Sequence, residues 1–205
     1  MIFTSCKKES TEDATKTDEV SESSASGSYT VDAANSVIDW VGSKPAGKHT
    51  GTISLADGSF DVTDGNVTGG NFTIAMNSIT VTDLEGEDKM NLETHLKGTG
   101  DKESEDHFFN VTKYPTGNFK MLSAEPESGA YFIKGILTLK GISKEVSFAA
   151  EIIMSDTEIK LISDPFKINR TSWNVNYASK SLFDNLKDKF INDDIELVVK
   201  VTAKK

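Results

Sequence analysis

The chain has 205 residues, a length that fits one domain plus a tail and allows a sizeable core. Its formal net charge of −10 repels phosphate, which argues against a nucleic-acid partner and against holding an anionic membrane surface by charge alone. A single cysteine, Cys6, rules out an intrachain disulfide, and no run approaches the ~18 apolar residues that a membrane-spanning helix needs.

The chain opens Met1-Ile2-Phe3-Thr4-Ser5-Cys6 and turns polar at once with Lys7-Lys8-Glu9-Ser10. Small residues before a cysteine, followed by a polar stretch, resemble a bacterial lipobox, in which the cysteine is freed by cleavage and carries lipid. Phe3 stands where leucine is usual. The apolar run is too short for a signal peptide, as expected of a trimmed sequence or a displaced start codon. Cys6 is therefore the candidate lipidation site, against the plainer reading of a free thiol on an unstructured arm. Lys7 to Ser28 consist mainly of Ser, Thr, Glu, Asp and Lys, which bury too little apolar area to offset the entropy of ordering. Residues 1–28 are thus read as a lipoprotein-like start and a disordered tether, and 29–205 as the folded domain.

From Tyr29 onward the pattern has period two. Phe72, Ile74 and Met76 alternate with Asn71, Thr73 and Ala75. Farther along, Tyr131, Ile133, Leu137 and Leu139 alternate with Lys134 and Thr138. Val146, Phe148, Ala150 and Ile152 alternate with Glu145, Ser147 and Glu151, and Ile195, Leu197, Val199 and Val201 with Glu196, Lys200 and Thr202. Such alternation marks antiparallel strands with one buried and one wet face. Phe72, Ile74, Met76, Tyr131, Ile133, Leu137, Val146, Phe148 and Ile152 are expected to point inward. Asp57-Gly58, Asp64-Gly65 and Ser128-Gly129 suit hairpin turns. The pattern implies roughly eight to ten strands, an all-β sandwich or barrel.

Two segments break this rhythm. Glu87 to Lys97 reads as a short helix, with Leu92 and Leu96 on one face and Gly98 as its stop. Ser179 to Phe190 reads as another, with Leu182, Phe183, Leu186 and Phe190 on one face and Ser179 or Ser181 as cap. Each is either a lid over a barrel mouth or a plug in the core.

At this point a family resemblance enters. Tyr29-Thr30-Val31-Asp32 and Ser36-Val37-Ile38-Asp39-Trp40 look like the opening strands of the YceI-like family, and Lys48-His49-Thr50-Gly51 with Gly58-Ser59-Phe60 its first hairpin. Met76-Asn77-Ser78-Ile79 and the stretch from Leu96-Lys97 to Phe108-Phe109 resemble its middle. Lys113-Tyr114-Pro115 followed by Phe119, Gly135 to Ile142, and Phe166 to Trp173 are similar to its later motifs. No single piece is specific, but their order from Tyr29 to about Thr202 is. The resemblance implies a lipocalin-like antiparallel β-barrel of about eight strands enclosing a long cavity for polyisoprenoid or other amphiphilic lipids. An insertion-like stretch, Gly98 to Asp106, and the lipoprotein-like start depart from the family.

The remaining signals are weak as chemistry. His49, His95 and His107 lack metal-ligand spacing, and His49 is expected to bond within the first hairpin or lie at the surface. The carboxylates at Glu85-Glu87-Asp88 and Asp193-Asp194 sit in turn-like contexts and are read as solvated rather than as an acid–base pair. No nucleophile elbow or phosphate loop occurs. Arg170 is the only arginine among 22 basic residues, so its site is expected to need a planar fork: a bidentate salt bridge closing a barrel end, or a contact to a ligand head group.

Trp40, Phe60, Phe72, Phe109, Phe119, Tyr131, Phe148, Phe166, Trp173 and Tyr177 are spread over many predicted strands. They fill a sandwich core or line a barrel cavity; the resemblance implies the cavity. The candidate ligand-binding residues are Trp40, Phe60, Phe72, Ile74, Met76, Phe109, Phe119, Tyr131, Ile133, Leu137, Phe148, Ile152, Phe166, Arg170 and Trp173. Neither catalytic nor metal residues nor a cofactor are expected. The resulting expectation is a carrier or store for polyisoprenoid or another long-chain lipid, in the periplasm or at the outer membrane and held there through Cys6. The alternatives are an envelope structural or interaction protein with a filled barrel, and an unrecognised enzyme. A homodimer is compatible with the sequence, which does not decide the oligomeric state.

Overall fold

The computed structural model describes residues 26–100 and 106–205. Cys6, the lipobox-like start, the tether as far as residue 25 and the middle of the insertion-like stretch, 101–105, lie outside the described residues. The described residues form eleven strands: β1 (Gly27–Val31), β2 (Val37–Lys44), β3 (Gly47–Thr63), β4 (Asn66–Ala75), β5 (Thr80–Val81), β6 (Thr116–Glu127), β7 (Ala130–Leu139), β8 (Ile142–Met154), β9 (Glu158–Ser163), β10 (Phe166–Asn169) and β11 (Asp194–Lys204). One α-helix, α1 (Gly86–Lys97), lies between β5 and β6.

Antiparallel pairing runs β11-β2-β3-β4-β6-β7-β8-β9, and β9 pairs back onto β11 through Val201–Leu161 and its neighbours, which closes a ring. Closure leaves the ring no free edge. The strands beyond this ring are short. β1 and β2 both pair with β3 and β11, so they are one course broken by the short 3-10 turn Ala33–Asn35. β9 and β10 both pair with β11 and are separated by Asp164-Pro165, where proline supplies no N–H to the ladder. This breakage raises the strand count above the expected eight to ten.

The period-two reading sets the inner face. Phe72, Ile74, Met76, Ile133, Leu137, Leu139, Phe148, Ala150 and Val201 are all buried, whereas Lys134 and Glu151 are exposed. Asp64-Gly65 and Ser128-Gly129 make the expected hairpins, all four residues having positive φ, as such two-residue turns require. Asp57-Gly58 is no turn. β3 runs straight through it, and a bulge between Leu55 and Asp57 takes up the extra residue. A 17-residue strand must bend to follow the wall, and a bulge supplies the bend.

The first helix forms almost as expected. Gly98 ends it in the left-handed conformation at φ 66°, its N–H donating to the carbonyls of His95 and Thr94. The second does not form. Ser179 to Phe190 is a loop with one 3-10 turn, Lys187–Lys189. Ser179 Oγ donates to Asp193 at 2.6 Å instead of capping a helix, and the loop's feet are joined by an Ile191 N–H to Ala178 carbonyl bond. Leu182 and Phe183 stay about half exposed, so the apolar stripe finds no surface to repay helix nucleation.

Candidate ligand-binding cavity

The barrel is hollow. A cavity of about 320 Å³ occupies its interior, within the range of small-molecule sites. One wall is a run of aromatic rings carried on β3, β4, β6, β8 and β10. Phe60 meets Phe72 edge-on at 4.9 Å, Phe72 lies 6.4 Å from Phe119, and Phe119 lies 5.8 Å from Phe148, which stacks on Phe166 at 4.4 Å. Trp40 packs where its cross-strand partner is Gly51; a Cβ there would come within 2.3 Å of the indole and 2.0 Å of the Thr80 carbonyl. Trp173 is held by a hydrogen bond from its indole N–H to the Leu137 carbonyl at 3.1 Å.

Of the candidate residues, Trp40, Phe60, Phe72, Ile74, Met76, Phe109, Phe119, Leu137, Phe148, Phe166, Arg170 and Trp173 line the cavity. Tyr131, Ile133 and Ile152 point inward but do not reach it. Ile133 is fully buried, Tyr131 and Ile152 pack against the core, and all three lie along β7 and β8 toward the barrel end formed by Ala130 and Met154. Alternation gives the face of a strand but not the depth along the barrel axis. The chain order also conceals Ile38, Leu55, Leu92, Leu96, Leu161, Ile195, Leu197 and Val199, which line the cavity as well. Of these, Ile195, Leu197 and Val199 stood in the alternating pattern, and Leu92 and Leu96 on the predicted helix face.

The polar lining is concentrated at the α1 end. Ser43, Lys44, His49, His95, Arg170 and Asn192 border the cavity there, and Lys44 is exposed, so the cavity reaches the surface beside it. His49 bonds to Asp83, after β5, at 2.9 Å, not within its own hairpin. Over the mouth, His95 Nδ1 and His107 Nε2 lie 2.9 Å apart, and both rings pack against Tyr177 at 4.7 Å. Among the described residues no group of three His, Cys, Asp or Glu side chains is placed to hold a metal ion.

Arg170 is buried, its side chain only 2% exposed, yet it makes no bidentate salt bridge. Nε donates to the Asn192 carbonyl and Nη2 to the Ile191 carbonyl, each at 3.1 Å, while Nη1 donates to the Val175 carbonyl. Asp193 Oδ1 lies 3.7 Å from Nη2. The fork thus ties the segment after β10 to the segment before β11 through backbone acceptors that a lysine cannot reach together. Burial lowers its pKa and Asp193 opposes that shift.

Lys140, at the β7–β8 turn, is a second buried cation, which its sequence context does not mark. Its ammonium donates to the Phe108 carbonyl at 2.9 Å and the Asn174 carbonyl at 3.1 Å, and pairs with Asp106 at 2.9 Å. These bonds fasten the loop before β6 to the segment that carries Trp173.

Asp193 is not solvated either. Burial pushes its carboxyl up, but bonds from Ser179 and Ser181 and the charge of Arg170 outweigh this and hold it below the usual carboxylate range. A lowered folded pKa gives stability above the unfolded value of about 3.9 that is lost as pH falls through the folded value. Urea midpoints should therefore drop as pH is lowered from about 5 to about 2, and Asp193→Asn should make that drop shallower. Equal slopes for parent and variant would contradict this.

An apolar cavity inside a closed eight-strand ring, with a polar mouth under a short helix, defines a lipocalin-like binding barrel. The family model for the YceI-like domain matches residues 29–203, and the chain belongs to that family. Among solved structures, BcnA of Burkholderia cenocepacia is similar at TM-score 0.65 and 17% identity, covering 84% of this chain and 99% of its own. A polyisoprenoid-binding domain of Saccharophagus degradans, implicated in plant cell wall breakdown, is similar at TM-score 0.63 and 15% identity, covering 86% and 97%. The YceI protein of Campylobacter jejuni reaches TM-score 0.50 at 23% identity, covering 74% and 82%. At such identities the likeness is one of fold. No curated protein matches the chain.

Proposed function

We propose that the chain binds one long apolar amphiphile, a polyisoprenoid or a similar lipid, in the barrel cavity and carries or stores it at the cell envelope. The observation that carries this reading is the distribution of polarity: a deep wall of aromatic and aliphatic side chains, with the polar groups gathered at the α1 mouth. Apolar ligand surface removed from water contributes about 25 cal/mol per Å², so a chain of CH₂ or isoprene units needs no polar partner at depth. The head group then rests among Lys44, His49 and Asn192. The polyisoprenoid-binding neighbour from Saccharophagus supports the ligand class. Anchoring through a lipid on Cys6 completes the envelope reading and rests on the lipobox-like start alone. A hollow interior favours a binding role over the filled-barrel alternative.

Both tryptophans of the chain line the cavity, so intrinsic fluorescence reports its occupancy. Titration of delipidated protein with a long polyprenol should change tryptophan emission saturably, and a short-chain alcohol should not. An emission spectrum that stays unchanged across the titration would overturn the proposal.

A further inference from the structure

The loop after β10 carries Tyr177, Leu182 and Phe183 about half exposed; the other exposed large apolar side chains among the described residues, Met90, Leu122, Ile153 and Ile162, lie on other elements, and only here do two stand side by side in sequence. Its feet are rigid. Ser179 and Ser181 bond to Asp193, and Arg170 holds the carbonyls of Ile191 and Asn192. The apolar residues therefore stand on a fixed base. That base borders the cavity, because Ile191 and Asn192 line it and Tyr177 packs on His95 at the mouth. Asn192 bonds to Ser43 through both backbone and side chain, which joins this loop to the β2–β3 hairpin.

Charge on these two segments runs against the rest of the chain. Residues 43–49 and 177–190 hold Lys44, Lys48, Lys180, Lys187 and Lys189 against Asp184 and Asp188, in a chain of net charge −10; Lys48 is offset by Asp194 and Glu196, which share its pocket with Lys167, so the basic excess centres on Lys180, Lys187 and Lys189. All five lysines are exposed. Screening over about 8 Å confines each charge to its own neighbourhood, so this edge presents a positive field despite the acidic whole.

We propose that this edge docks on an anionic lipid bilayer, with Leu182 and Phe183 entering the interface and the lysines meeting head groups. The cavity mouth is thereby brought to the surface from which its ligand is drawn. This rests on the reading that the cavity takes a membrane-derived amphiphile, whose poor solubility in water requires transfer at a bilayer. Exposed apolar side chains beside basic ones are the two terms of interfacial binding.

The test uses the full chain as Cys6→Ser, so that no acyl chain contributes, in co-sedimentation with vesicles. The parent should sediment with phosphatidylcholine–phosphatidylglycerol vesicles and much less with phosphatidylcholine alone. Leu182→Ser with Phe183→Ser should lower the bound fraction roughly tenfold or more. Lys180→Gln with Lys187→Gln and Lys189→Gln should lower the preference for anionic vesicles severalfold. Neither Leu182 nor Phe183 lines the cavity, so the tryptophan response to polyprenol should persist in every variant, which separates failure of docking from failure of the cavity reading. A parent that ignores anionic vesicles, or variants that sediment as well as the parent, would overturn the docking surface. So would a dimer in sedimentation equilibrium that the Leu182 and Phe183 changes dissociate, since the patch would then belong to a second copy.

Discussion

Arg170→Ala should lower stability by about 3–5 kcal/mol, or roughly 10 °C in Tm. The change strips three backbone carbonyls, those of Val175, Ile191 and Asn192, of their donor and leaves Asp193 without its cation in a mostly buried position. Arg170→Lys keeps the charge near Asp193 but presents one compact ammonium instead of a fork. It should recover only part of the loss and remain about 1–3 kcal/mol below the parent. Delipidated protein is the right sample, since a bound ligand would add its own stabilisation. A parent-like Tm in both variants, with lipid retention alone reduced, would assign the guanidinium to a ligand head group instead of to the backbone it grips.

The effect extends to the mouth of the cavity. Arg170 fixes the feet of the Ala178–Ile191 loop, and its guanidinium carbon lies 5.9 Å from the centre of the Phe108 ring. Lys140 holds the same region from the other side through the carbonyls of Phe108 and Asn174. Two buried cations thus tie irregular chain to the barrel rim by donating to backbone carbonyls, where no sheet ladder is available.

What the sequence discloses follows from the range of each signal. Alternation is local, and it correctly faces Phe72, Ile74, Met76, Leu137 and Phe148 inward. Gly98 as a helix stop and Asp64-Gly65 as a hairpin are likewise local, because each depends on a residue that tolerates positive φ. Depth along the barrel is set by strand tilt and register, so Tyr131, Ile133 and Ile152 could not be separated from the lining by pattern. Ser179 to Phe190 shows the converse failure. Its apolar spacing is helical, but Ser179 is drawn to Asp193, a partner 14 residues away that periodicity does not contain. Arg170 stood out by rarity, which identified the position but not its acceptors, since backbone carbonyls leave no mark in sequence. Lys140 gave no signal at all among so many lysines.

Val146→Trp and Val199→Trp should abolish retention of the lipid while leaving the fold intact. Both valines line the cavity and keep part of their surface uncovered by protein, so an indole has space to enter from the wall. Overpacking costs stability where a core is full; here the added ring occupies a void and gains apolar contacts. If each plug displaces ~100 Å² of ligand surface, affinity falls by ~2.5 kcal/mol, or about 60-fold. Equal Tm with retention lost places the ligand in the barrel. Retention equal to the parent in both variants would place it elsewhere.

The central claim is that this barrel holds an amphiphile. Organic extraction of the full-length purified protein, followed by mass spectrometry of the extract, tests it most directly. The predicted result is a long-chain, mostly apolar amphiphile in stoichiometric amount with the protein, reduced to background in the Val146→Trp and Val199→Trp variants. An extract that is repeatedly empty, from protein that also takes up no added polyprenol, would contradict it.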